Sequence, residues 1–83
     1  MNKVLVEVML PAAGKQFDVY IPLESTVLDI TRMLEAALSE LSDGKFMAEN
    51  NSVLCDAVTG DILNPNNMAG ELKIKNGARL ILI

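Results

Sequence analysis

Arg79-Leu80-Ile81-Leu82-Ile83 closes the chain as an apolar, β-branched run. In water such a strand needs partners for its backbone groups and cover for its side chains. The last residue is therefore expected inside a sheet. A run this apolar favours a central place there. If the chain ends as the sequence does, no tail remains to carry a reactive carboxylate or a targeting signal.

The rest of the sheet starts at the other end. Val4 to Leu10 reads as a strand, with Val4, Val6 and Val8 on one side and Leu5, Glu7 and Met9 on the other. Pro11-Ala12-Ala13-Gly14-Lys15 is a turn in which Gly14 can take positive φ. Phe17, Val19 and Ile21 alternate with Asp18 and Tyr20, giving a second, antiparallel strand that Pro22 ends. Ser25-Thr26 supplies a helix N-cap, and Asp29 adds negative charge to the first turn. Val27, Ile30, Leu34, Leu38 and Leu41 form one helical stripe, with Arg32, Glu35, Ser39 and Glu40 off it. The helix is expected from Val27 to about Leu41, stopped by Ser42-Asp43-Gly44.

Lys45 to Asn51 reads as loop, with Phe46 and Met47 placed to plug the core. Ser52 to Asp56 and Ile62-Leu63 read as short third and fourth strands around the Thr59-Gly60-Asp61 turn. Met68 to Ile74 is irregular or a brief helical turn anchored by Met68, Leu72 and Ile74, and Lys75-Asn76-Gly77 turns the chain into its last strand. One helix with a single apolar stripe must lie across one face of the sheet. A crossover through that helix suits a last strand parallel to the first.

Eighty-three residues, 51% of them hydrophobic with no Trp, make one domain (1–83) around an aliphatic core. The single Cys55 forms no internal disulfide, which favours a reducing, cytoplasmic setting. No signal peptide is visible after Met1, and no run approaches the ~18 apolar residues of a membrane span. The net charge of −4 argues against nucleic acid as a partner. Lys73, Lys75 and Arg79 are a local basic exception, read as a solvated strip or a small dock for an acidic partner.

This α+β pattern of hairpin, helix, short strands and final strand resembles the β-grasp fold of ubiquitin, with a mixed sheet of four to five strands. Gly14-Lys15 lies in the first turn, Thr26-Val27 at the helix start, and Met68, Leu72, Ile74, Leu80 and Leu82 at the later apolar anchors. Within that group, Thr59-Gly60-Asp61-Ile62-Leu63-Asn64-Pro65 and Ile74-Lys75-Asn76-Gly77-Ala78-Arg79-Leu80 look most like the bacterial YukD/EsaB proteins. Those are small ubiquitin-like proteins found with type VII (WXG100) secretion systems. Ala78 departs from the Asp common in that family. Ubiquitin and the sulfur carriers of this fold work through a flexible Gly-Gly tail. A sequence ending at Ile83 lacks that reach, so conjugation and sulfur carriage are not expected. The alternative is a carrier whose Gly-Gly tail is missing from this sequence.

Chemistry has few candidates. Histidine is absent, removing the commonest general base and metal ligand. Asp56 and Asp61 come near one another across a turn, where paired acids are usually solubility residues. Cys55 has neither a base nor a CxxC partner and reads as a small, partly buried residue; an iron–sulfur cluster needs about four thiolates. Gly14-Lys15 lacks the other glycines of a phosphate loop. No enzyme activity, cofactor or metal is expected.

The remaining signal is the outer face of the sheet. If Val4, Val6, Val8, Leu80 and Leu82 face the helix, then Leu5, Met9, Val53, Cys55, Ile81 and Ile83 face away. They are expected to form one continuous apolar patch rimmed by Glu7, Tyr20, Lys73, Lys75 and Arg79. A patch of several hundred Å² on a small soluble domain usually marks an interface; the plainer reading is mutual shielding. The expectation is a cytoplasmic ubiquitin-like adaptor of type VII secretion that docks a protein partner through this face. Burial against a second copy is the other possible use.

Overall fold

The first hairpin follows from alternation. A computed structural model of the chain describes residues 2–41 and 52–83. Strand β1 (Lys3–Leu10) buries Val4, Val6, Val8 and Leu10 and turns Leu5 and Met9 outward. It pairs antiparallel with β2 (Lys15–Pro22), one residue to one, from Lys3 opposite Pro22 to Leu10 opposite Lys15. The connection is a 3-10 turn over Pro11–Ala13, closed by Gly14 at φ 62°.

Helix α1 (Val27–Leu41) has the span that its stripe predicts. Thr26 Oγ1 accepts the Asp29 N–H at 3.2 Å, so Thr26 is the cap. The Val27 and Leu28 N–H groups donate to the Asn67 and Pro65 carbonyls at 2.8 and 3.0 Å, which satisfies further first-turn donors. Val27, Ile30, Leu34 and Leu38 are buried as expected. Leu41 is not: it has the right azimuth but stands at the last residue of the helix and is 55% exposed. Thr31 and Glu35 are buried instead. Thr31 is tolerated because its hydroxyl donates to the Val27 carbonyl at 2.8 Å. Glu35, read from the sequence as off the stripe, meets Arg32 at 3.1 Å through Oε1, while Oε2 has no hydrogen-bond partner among the described residues.

Strand β3 (Leu54–Asp56) is shorter than expected, but Val53 and Ile83 exchange backbone hydrogen bonds of 2.7 and 3.0 Å beyond its end. Ile62 makes a single bridge to Cys55 instead of a fourth strand. The chain folds tightly here because Asp56 Oδ1 accepts the Val58 and Thr59 N–H groups, and Gly60 takes φ 80°. Strand β4 (Arg79–Leu82) runs parallel to β1 and antiparallel to β3, giving the order β2-β1-β4-β3. Leu80 and Leu82 face the core, so the last strand is central and parallel to the first, as its composition implies.

The stretch before β4 holds a 3-10 helix over Ala69–Leu72. Ile74 is buried and Leu72 partly so, but Met68 is exposed and Ala69 takes the anchor position. Backbone hydrogen bonds hold this segment against the chain just before the helix. The Ala69 and Gly70 N–H groups donate to Ser25 and Leu23 carbonyls, both at 3.0 Å. A Cβ on Gly70 would stand 3.3 Å from the Leu23 oxygen, so the backbones run close together at this residue. The expected helix stop at Ser42-Asp43-Gly44 and the Lys45–Asn51 loop with Phe46 and Met47 lie outside the described residues.

Candidate functional site: the outer face of the sheet

Strand register arranges the outer face in rows, because opposed residues share a face. Tyr20 lies opposite Leu5. The next row is Asp18, Glu7 and Arg79, followed by Gln16, Met9, Ile81 and Cys55. Val53 and Ile83 make the last pair. The expected face is therefore present, but it is not one patch.

The polar row cuts it. Glu7 and Arg79, placed by sequence at the rim, stand in the middle with Glu7 Oε2 3.4 Å from Arg79 Nε. Leu5 and Tyr20 lie on one side of that pair, and Met9, Ile81, Val53 and Ile83 on the other. Alternation alone could not show this, since it assigns a face and not a row. The Asn76 Oδ1 accepts the Leu5 N–H at 2.8 Å and Gly77 N–H donates to the Leu5 carbonyl, so the Lys75–Ala78 turn flanks the Leu5 side. Lys75 sits at the start of that turn. Lys73 caps the 3-10 helix at φ 57°, and Arg79 is engaged by Glu7. The three cations thus occupy different structural settings.

Cys55 also needs correction. It stands opposite Ile81, as expected, but only 5% of it is exposed. The bridge to Ile62 places a second isoleucine beside it, so the thiol is no part of a docking surface. Met9 and Ile83 are well exposed at 44% and 59%, Val53 is exposed, and Ile81 is half-buried. Beside them runs a groove of about 580 Å³ lined by Met9, Gln16, Val58, Arg79 and Ile81 among others. Val58, 80% exposed, was hidden from the sequence reading by its place in a turn. An apolar residue inside Asp56-Ala57-Val58-Thr59-Gly60 was the available signal.

Asp56 spends Oδ1 on its own turn, and the Asp61 N–H is held by Thr59 Oγ1 at 3.2 Å. Among the described residues, no three His, Cys, Asp or Glu side chains come together to hold a metal. Among the same residues no helix is long and apolar enough to cross a membrane.

One helix laid across a mixed sheet of order β2-β1-β4-β3, with an outward apolar strip, defines a ubiquitin-like domain of β-grasp fold. Solved structures bear this out. The ubiquitin-like domain of the Mycobacterium tuberculosis type VII secretion system protein EccD1 matches with a TM-score of 0.80 and 15% identity, covering 100% of this chain and 99% of that one. The EccD5 ubiquitin-like domain from Mycobacterium xenopi matches at 0.74 and 22% identity over 100% and 94%. Ubiquitin from Caldiarchaeum subterraneum matches at 0.71 and 12% identity over 99% and 92%. At these identities the likeness establishes the fold. No protein-family model matches the sequence, and no curated protein matches it.

Proposed function

We propose that this domain is a protein-interaction module serving a bacterial type VII (WXG100) secretion system from the cytoplasm, as a YukD/EsaB-like accessory factor. It acts by docking and not as an enzyme. The observation that carries the reading is the outward strip of Met9, Ile81, Val53 and Ile83, half-buried at Ile81 and exposed at the other three, bordered by a groove and held on a four-stranded sheet. Burying such side chains against a partner is favourable at roughly 25 cal/mol per Å² of apolar surface. The likeness to two ubiquitin-like domains from type VII secretion proteins supports the setting.

The test is complementation. Cells lacking the gene are expected to lose export of a WXG100 protein and to regain it with the wild-type chain. Met9→Glu and Ile81→Glu, shown to be folded by circular dichroism, should fail to restore export. Export unaffected by the deletion overturns the secretion role. Full restoration by both folded variants overturns the proposed face.

A further inference from the structure

Asn76-Gly77 is the one Asn-Gly step in the sequence. It sits in the turn that delivers the chain into β4, where the Ala78 N–H donates to the Lys75 carbonyl at 3.0 Å. Gly77 takes φ 86° and Asn76 does not take positive φ, the pattern of a type II turn. Both residues are exposed, and a Cβ built on Gly77 would meet no described atom within 4 Å. No side chain crowds the Gly77 nitrogen.

Leu5 holds both ends of this step. Its N–H donates to Asn76 Oδ1 at 2.8 Å, and its carbonyl accepts the Gly77 N–H at 2.8 Å. Two residues on, the Glu7 N–H donates to the Ala78 carbonyl at 2.9 Å. That spacing continues the parallel β1–β4 ladder, so the Asn76 side chain stands where a strand carbonyl would. The two groups so fixed can also react with each other. The Asn76 carboxamide carbon is an electrophile, and the Gly77 nitrogen, next along the chain, is within reach of it as a nucleophile.

We propose that Asn76 is a site of spontaneous, one-way modification that Leu5 guards. When both bonds to Leu5 open, the Gly77 nitrogen gives its proton to water or hydroxide and attacks Asn76 Cγ. The new N–C bond forms as the Cγ–Nδ2 bond breaks, and Nδ2 takes up a proton and leaves as ammonia. Water then opens the cyclic imide at one of its two carbonyls. Opening at Cγ gives aspartate, whose carboxylate keeps an oxygen for the Leu5 N–H. Opening at the backbone carbonyl gives isoaspartate. The main chain then runs through Cγ, a methylene longer, and the acceptor leaves its ladder position. Isoaspartate therefore releases the turn from β1 beside Leu5. The site does not rest on docking at Met9 and Ile81.

The test follows the full chain by peptide mapping with mass spectrometry, in mildly alkaline buffer with and without denaturing urea. Chromatography separates the asparagine, aspartate and isoaspartate forms. In urea, Asn76 should convert several-fold faster than any other asparagine, since glycine follows it. In the native chain its conversion should be slower by about tenfold or more. Amide hydrogen exchange of the ¹⁵N-labelled chain reads the opening of Leu5 and Gly77, and the slowing should match their protection within about threefold. Leu5→Pro removes the donor to Asn76 Oδ1 and should speed native conversion several-fold, with the rate in urea unchanged. The purified isoaspartate chain should lose Leu5 protection by about tenfold or more, while Asn76→Asp keeps it within about threefold. Slowing that departs from the protection of Leu5 and Gly77 overturns the guard, as does a folded Leu5→Pro that converts no faster. If Leu5→Pro does not fold, the wild-type comparison decides. Conversion in urea no faster at Asn76 than elsewhere overturns the site. Leu5 protection retained in the isoaspartate chain overturns the release.

Discussion

Glu7 and Arg79 face one another across the β1–β4 register, 3.4 Å apart, and divide the outward apolar residues into two groups. The division matters because a small domain that exposes one large apolar patch tends to associate. With Asp18 beside Glu7, a charged row crosses the β2, β1 and β4 strands. Leu5 and Tyr20 are thereby separated from the Met9–Ile81 strip.

Arg79→Leu should merge the two groups. The ion pair itself contributes little, no more than about 1 kcal/mol, because its side chains are 69% and 32% exposed. The urea midpoint is therefore expected to move only slightly. Sedimentation velocity should instead show association that rises with concentration, at concentrations where the wild-type chain sediments more slowly. Identical sedimentation of the two proteins would remove any role for the pair in limiting the patch.

Glu35 is an expensive residue for the core. Its side chain is 3% exposed, one oxygen reaches Arg32, and among the described residues the other has no hydrogen-bond partner. A buried carboxylate in that state pays desolvation that one half-exposed partner does not return. Glu35→Leu, of similar volume, is expected to raise stability by about 1 kcal/mol or more, read as a higher urea midpoint at unchanged slope. A drop in midpoint would show that the carboxylate is a net stabiliser of the helix.

Thr26 carries the helix start through one oxygen. Thr26→Ala removes the acceptor of the Asp29 N–H and should cost about 1 kcal/mol, while Thr26→Ser should restore most of it. Thermal unfolding of the two variants distinguishes the cap from a packing effect of the lost methyl. Equal losses in both variants would assign the cost to packing.

Periodicity made most of this fold readable. The stripe Val27, Ile30, Leu34 and Leu38 and the alternation Val4, Val6, Val8 each state which side is buried, and the structure agrees. Capping chemistry placed the helix start at Thr26. What the sequence could not state was anything decided by a neighbouring strand. The position of Glu7 at the centre of the face depends on β4 lying beside β1 in one particular register. The shielding of Cys55 depends on a bridge from Ile62, seven residues away. Ala69 and not Met68 is the buried residue of its segment, where backbone bonds to Ser25 and Leu23 set the position, and side-chain hydrophobicity carries no signal of those bonds.

The same bridge makes Cys55 a reporter of the sheet edge. Its thiol is free and buried, held between Ile81 and the Ile62 bridge. A thiol reagent can reach it only when this edge opens, so the labelling rate reads the population of the open form. The folded chain should react with Ellman's reagent slower than the urea-unfolded chain by about a hundredfold or more. Ile62 is itself mostly exposed, so Ile62→Ala should cost little global stability. It should nevertheless quicken labelling several-fold, because only the local cover is lost. Fast labelling of the wild-type chain would place Cys55 back on the accessible face. Acceleration matched by an equal fall in the urea midpoint would mean that the edge opens only when the whole domain unfolds.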